Sequence, residues 1–142
     1  MSKSLNRQTY FHVVYMKIAM QIATLSRAER RKVGAILVKD DNIISFGYNG
    51  TPAGFSNKCE DGDGCTLPYV LHAEANAIVK ATKNTYSIVG STLYLTFSPC
   101  YNCSKLILQA GITRVIYLDL HSNTDGLKLL RQGGVQVIKL NL

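Results

Sequence analysis

Four side chains in this sequence have the types and spacing to do chemistry together: His72, Glu74, Cys100 and Cys103. Cys100 and Cys103 stand in Pro-Cys-Tyr-Asn-Cys, where C-x2-C spacing puts two sulfurs on one turn of a helix start, close enough to share a metal. The free N–H groups and dipole of that helix start favour thiolate over thiol. His72 opens a second helical stretch and brings an imidazole nitrogen as a third ligand. Two soft ligands and one borderline ligand suit Zn²⁺ and leave its fourth position to water, as in catalytic rather than structural sites. Zinc lowers the pKa of such a water from 15.7 towards ~7. Glu74, two residues beyond His72, can project beside the metal without ligating it and relay the water's proton. The combination suits attack on an amidine-like carbon with release of ammonia. A structural zinc would take its fourth ligand from Cys59 or Cys65, and would leave both Glu74 and the proline before Cys100 without a role.

These residues have to be brought together by the elements around them. Phe11, Val14, Ile18, Ile22 and Leu25 recur at helical spacing, which predicts a helix from about Asn6 to Ser26. The basic connector Ser26 to Lys32 follows. Val33 to Val38 and Ile43 to Tyr48, joined by the turn-like Lys-Asp-Asp-Asn, read as a β-hairpin. Glycines and prolines make Asn49 to Pro68 a long loop. His72 to Thr82 is alanine-rich and helical. Thr92 to Phe97 alternates as a strand, and Pro99 is expected at the first position of a helix running to Ala110, with Gly111 closing it. Val115 to Leu118 is a strand, Asp125 to Arg131 a helix and Val135 to Leu140 a last strand. The order predicts one α/β layered domain over residues 1–142, with helices on both faces of a mixed sheet.

The chain of 142 residues is 46% apolar and 18% charged, enough to fill one core and too little charge for long disordered tails. Sixteen Lys and Arg against nine Asp and Glu leave a net charge of +7, which suits an anionic partner. The start, MSKSLNRQTYFHVVYMK, lacks the pattern of a secretory leader. The longest uncharged stretch, Asn84 to Ser104, carries too many polar residues for a membrane helix. A cytoplasmic protein with its four cysteines as thiols or metal ligands is therefore expected, with no membrane partner.

Several segments carry a resemblance. Val33-Gly34-Ala35, Gly47-Tyr48-Asn49-Gly50, Tyr69-Val70-Leu71-His72-Ala73-Glu74-Ala75-Asn76-Ala77, Thr92-Leu93-Tyr94, Ser98-Pro99-Cys100 to Cys103 and Gln109-Ala110-Gly111-Ile112 resemble the deoxycytidylate (dCMP) deaminases. The similarity runs from about residue 8 to the C-terminus. His-x-Glu followed by Pro-Cys-x-x-Cys is the signature of zinc nucleobase deaminases in general. Gly-Tyr-Asn-Gly with His-Ala-Glu-x-Asn-Ala is narrower and is similar to the deoxycytidylate branch. The resemblance implies a cytidine-deaminase-like three-layer α/β/α fold with a five-stranded mixed sheet, one catalytic Zn²⁺ per chain, and conversion of dCMP to dUMP and ammonia on the way to thymidylate. At the cytosine ring this means attack at C4 and protonation first of N3, then of the departing amino group. It further implies that Asn49 contacts the sugar hydroxyl, that the Ala73 N–H and the Ser98 carbonyl hold the base edge, and that the chains assemble as a homohexamer. For Asn49 the competing reading is a turn residue between glycine-rich steps.

The 5′-phosphate would be met by the cluster Arg27, Arg30, Arg31 and Lys32, which otherwise is a solvated connector. Relatives that respond to dCTP and dTTP use a site built partly on Gly-Tyr-Asn-Gly, which here makes Gly47, Tyr48, Gly50 and Thr51 regulatory candidates. The glycines would open backbone N–H groups to a phosphate chain, while Glu60, Asp61 and Asp63 either orient its Mg²⁺ or form a solvated acidic loop. His121 replaces an aromatic common in the family after the fourth strand. Cys59 and Cys65 are two loop thiols or, less economically, half of a second zinc site. His12 is read as a surface or boundary residue. Two other functions share the metal motif: a tRNA adenosine deaminase and a non-enzymatic zinc-binding nucleotide sensor. Against the first, the basic residues are scattered outside one cluster and the loop from Asn49 to His72 is long, so no nucleic-acid partner is expected. Against the second, a sensor has no use for Glu74.

Overall fold

The computed structural model describes residues 6–142. Helix α1 spans Arg7–Ala23 and starts at Asn6, whose side chain accepts the Thr9 N–H at 2.8 Å. Strands β1 (Gly34–Lys39) and β2 (Asn42–Tyr48) form the expected hairpin. Its two turn residues, Asp40 and Asp41, both have left-handed φ, 50° and 62°, the pair of conformations that matches the twist of two-residue hairpins. Then come α2 (Ala73–Ala81), β3 (Thr92–Phe97), α3 (Tyr101–Gln109), β4 (Arg114–Asp119), α4 (Asp125–Gln132) and β5 (Gln136–Lys139).

The sheet has five strands in the order β2-β1-β3-β4-β5. β1 runs antiparallel to both β2 and β3, while β3, β4 and β5 are parallel. Alternate side chains of the three central strands feed two cores. Ala35, Leu37, Leu93, Leu95, Val115 and Tyr117 pack under α2, α3 and α4. Ile36, Val38, Tyr94 and Ile116 pack under α1 through Met16 and Ala19. Burial on both faces explains why β1, β3 and β4 read as near-continuous apolar runs. The three-layer α/β/α fold with a mixed five-stranded sheet is thus the observed one. Among the described residues no helix is long and apolar enough to cross a membrane.

Two local expectations need correction. Pro99 is not the first helical residue: Cys100 is the N-cap of α3, with extended backbone, and its sulfur accepts the Cys103 N–H at 3.5 Å. Cap duty thus falls on a cysteine already singled out for metal. His12 is not at the surface. It lies on the buried face of α1, with Nδ1 2.7 Å from the Tyr94 hydroxyl. Burial, with the Arg114 charge adding to it, pushes the His12 pKa down; burial pushes Tyr94 up to about 12.

Candidate active site

Two helix starts meet at the C-terminal end of β3. α3 follows β3 through Ser98-Pro99, and α2 lies against β2 closely enough to bring its first turn to the same place. That closeness depends on Gly47: a Cβ there would sit 2.5 Å from both the Ala73 carbonyl oxygen and the Ala77 nitrogen. His72 is the N-cap of α2, and Glu74 lies in its first turn.

The Nδ1 of His72 is 3.6 Å from the Cys100 sulfur and 3.3 Å from the Cys103 sulfur. Tetrahedral zinc with its usual bond lengths to sulfur and nitrogen separates such ligand atoms by about 3.5 Å. The donor set also fits electrically. The thiol of Cys103 and then the imidazole of His72 hydrogen-bond to Cys100 and hold it at about 3, a thiolate. His72 is pushed up, mainly by that contact with Cys100, while the Cys103 thiol is pushed up because its proton is shared with Cys100. Among the described residues this trio is the one group of three or more metal-capable side chains within reach of one another. Cys59, buried, and Cys65, exposed, join no such group.

Glu74 is 4% exposed, and burial pushes its carboxyl up to about 7. It faces the same cleft, of about 570 Å³, as His72, Ala73, Ser98 and Asn49. No side chain caps α2, and the Ala73 N–H is one of the first-turn donors that have no partner within the helix. The Ser98 N–H is engaged by the Asp119 carbonyl at 2.8 Å, which turns the Ser98 peptide with its strand. Asn49 has both amide atoms in use: Oδ1 accepts the Val33 N–H at 2.8 Å, and Nδ2 donates to the Arg31 carbonyl at 2.8 Å. One lone pair and one N–H remain unused by these two bonds.

The basic cluster does not act as one patch. Arg30 and Arg31 line the cleft, whereas Arg27 and Lys32 are exposed outside its walls. The Arg31 guanidinium carbon lies 3.9 Å over the Phe97 ring, whose other neighbour is His121 with ring centroids 5.0 Å apart. His121 therefore stands on the cleft wall as an aromatic would. Its backbone N–H donates to the Ser98 hydroxyl at 2.7 Å, and its Nδ1 accepts the Asn123 N–H at 2.9 Å. That acceptor role places the proton of the neutral ring on Nε2.

The Gly-Tyr-Asn-Gly segment is built differently from the expected phosphate cradle. Gly47 is there for helix packing, and the Tyr48 carbonyl accepts the Asn76 amide at 3.0 Å. Asn49 donates its N–H to Val33, and Gly50 exchanges both backbone bonds with Leu71 at 3.1 and 2.8 Å. Thr51 gives a backbone hydrogen bond to the Cys59 sulfur. Nor is the acidic loop simply solvated. Glu60 is 6% exposed and lines the cleft, and its Oε2 accepts the N–H groups of Glu29 and Arg30. Asp61 Oδ1 accepts those of Asp63 and Cys65. Phe97 is a cleft residue that pattern reading missed, and Glu60 was read only as part of an acidic loop, since neither belongs to a spaced motif.

This cleft, on this fold, defines a zinc-dependent deaminase. Residues 9–119 match the cytidine and deoxycytidylate deaminase zinc-binding region, and the chain belongs to that family. Among curated proteins it is 39% identical over 117 residues to the deoxycytidylate deaminase of Mycobacterium phage D29, covering 72% of this chain and 90% of that one. It is 35% identical over 133 residues to the deoxycytidylate deaminase of Saccharomyces cerevisiae, covering 87% of this chain but 42% of the yeast protein's length. Among solved structures, the dCMP deaminase of cyanophage S-TIM5 in complex with dCMP and dUMP superposes with a TM-score of 0.91 at 47% identity, covering 96% of this chain and 99% of that one. A structure from a study of tRNA:A34 deaminases is 22% identical with a TM-score of 0.64, a likeness of fold alone.

Proposed function

We propose that the protein hydrolyses dCMP to dUMP and ammonia, with residues 1–142 acting as one deaminase domain. The observation that carries this reading is a buried carboxylate, Glu74, sharing one cleft with the His72/Cys100/Cys103 trio and with Arg30 and Arg31. Zinc held by the trio would supply an acidified water as nucleophile. Glu74 takes the proton that water loses and delivers it to N3 of the cytosine; it then takes the second proton, from the hydroxyl now on C4, and delivers it to the departing amino group, so that ammonia leaves and a carbonyl remains. Its burial suits both halves of this relay, because a desolvated carboxyl near 7 gives and accepts protons at neutral pH. The Ser98 carbonyl accepts from the exocyclic amino group, and the Ala73 N–H donates to the ring carbonyl. Asn49 meets the sugar hydroxyl, and Arg30 and Arg31 meet the phosphate dianion.

Ammonia release from dCMP, CMP, deoxycytidine and a tRNA anticodon loop, each offered separately, tests the reading. Turnover of dCMP well above the other three is expected. Turnover of the anticodon loop instead would make the protein a tRNA deaminase, and zinc and nucleotide binding without ammonia release would make it a sensor.

We further propose a cytoplasmic homohexamer answering to dCTP and dTTP carried with Mg²⁺. For the response to dCTP and dTTP, support comes from the intact Gly47 to Thr51 segment beside the cleft; the hexamer and the cytoplasmic location rest on the family resemblance. With the Asn49 and Gly50 N–H groups engaged, that segment would act through the placement of Asn49 and of α2 rather than by cradling phosphates. Sigmoidal dCMP saturation that turns hyperbolic with dCTP and Mg²⁺ is the expected behaviour. Hyperbolic kinetics indifferent to both nucleotides refutes it.

A further inference from the structure

Resting on the phosphate reading above, we infer that Glu60 is a positioning residue for recognition of the nucleotide's 5′-phosphate, acting through Arg30. A single Glu60 oxygen, Oε2, accepts the Glu29 N–H at 3.0 Å and the Arg30 N–H at 3.2 Å. Glu60 arrives from a loop 30 residues further along the chain, and it is buried. The segment it grips, between α1 and β1, has neither helix nor strand to fix it. An arginine on such a segment loses much rotamer and backbone freedom when it meets a phosphate, and a clamped backbone reduces that cost.

Arg31 is held by other means. Its guanidinium stacks on Phe97, and its carbonyl takes the Asn49 amide. Neither device reaches the Arg30 backbone, whereas Glu60 does. The placement of Glu60 sharpens the argument. A carboxylate on the wall of a cleft that receives a dianion repels it, unless local donors absorb the charge. Two successive backbone N–H groups aimed at one oxygen do so, in the manner of an anion nest. Glu60 thus forms an internal anion site whose product is the position of Arg30.

Because one oxygen takes both bonds, a glutamine carbonyl can replace it while removing the charge, and alanine cannot. Steady-state kinetics on the zinc-loaded protein with dCMP and deoxycytidine separate these cases. If the wild type fails to favour dCMP, the proposed function fails before any variant is read. Otherwise Glu60→Ala should raise KM for dCMP roughly 10- to 100-fold, by misplacing a binding group, with kcat and deoxycytidine turnover little changed. Glu60→Gln should restore KM to within about threefold, the scale of a retained neutral hydrogen bond. Arg30→Ala should match Glu60→Ala, and the double variant should be no worse than Arg30→Ala. If Glu60→Ala does not fold, Glu60→Met fills the same space without an acceptor and takes its place. Equal losses on dCMP and deoxycytidine, an unchanged KM, a glutamine variant as poor as alanine, or multiplying effects in the double variant would each overturn the assignment.

Discussion

Replacing Gly47 by alanine should damage the site without changing any side chain that binds substrate or metal. The added Cβ would lie 2.5 Å from the Ala73 carbonyl oxygen and from the Ala77 nitrogen, and 3.1 Å from the Ala77 Cα. Ordinary contact begins at 3.4 Å, so the shortfall is about 0.9 Å, and every atom met is backbone, which cannot rotate aside. α2 has to move off β2 by most of that distance, taking along His72 at its cap and Glu74 in its first turn. The cysteines are on α3 and do not follow. Overpacking of this kind costs about 1–3 kcal/mol. For a domain of this size that is a fall in Tm of roughly 3–10 °C. A misplacement near 1 Å costs about 100-fold in turnover. Scanning calorimetry, metal analysis and dCMP turnover on Gly47→Ala should therefore show a lowered Tm, reduced zinc content and a deep loss of kcat. Gly62→Ala, whose Cβ meets nothing within 4 Å, is the neutral control. A Gly47→Ala protein with unaltered Tm and turnover would refute the idea that this glycine sets the distance between helix and sheet.

Glu74→Gln should keep zinc and fold yet lose at least ~100-fold in turnover, because an amide cannot carry protons; near-normal rates in zinc-loaded protein would remove Glu74 from the relay. Cys100→Ala should lower zinc content in metal analysis, and undiminished zinc would dismiss the trio as the metal site. Charge reversal of Arg30 and Arg31 should raise KM for dCMP far more than for deoxycytidine, whereas equal effects would return the segment to a plain connector. The folded-state pKa of His12 lies below its unfolded value of 6.5, so in acid the unfolded chain binds the proton more readily. Its contribution to stability is complete above about 6.5 and shrinks as pH falls through 6.5 towards the folded value. Thermal melts between pH 8 and pH 5 should show a smaller acid loss in His12→Phe than in wild type, and parallel curves would dissociate His12 from the effect.

The sequence carried the metal trio and Glu74 openly, because C-x2-C and His-x-Glu are short-range patterns whose geometry follows from a helix start alone. The three central strands were equally legible, since two-sided burial leaves an apolar run. The rest depended on contacts between distant segments. Arg27, Arg30, Arg31 and Lys32 form one cluster along the chain, but Glu60 and Asn49 set the path of the backbone, and only two of the four reach the cleft. Gly47 stands in a motif that invites a phosphate reading, while its constraint comes from α2, on the far side of a long loop. His12 looked like a boundary residue because its partner, Tyr94, is 82 positions away.

Cys100 and His72 lie 28 residues apart, with the whole of β3 between them, and they meet only when that strand is docked. An unfolded chain keeps the two neighbouring thiols but not the imidazole, so it competes poorly for the ion. A bound metal would therefore tie a loop shut, much as a covalent staple does, and favour the folded chain in proportion to the logarithm of free metal concentration. Chelation should then shorten the lifetime of the native state as well as halt chemistry, making the supply of zinc a control on how much of the protein survives in a cell.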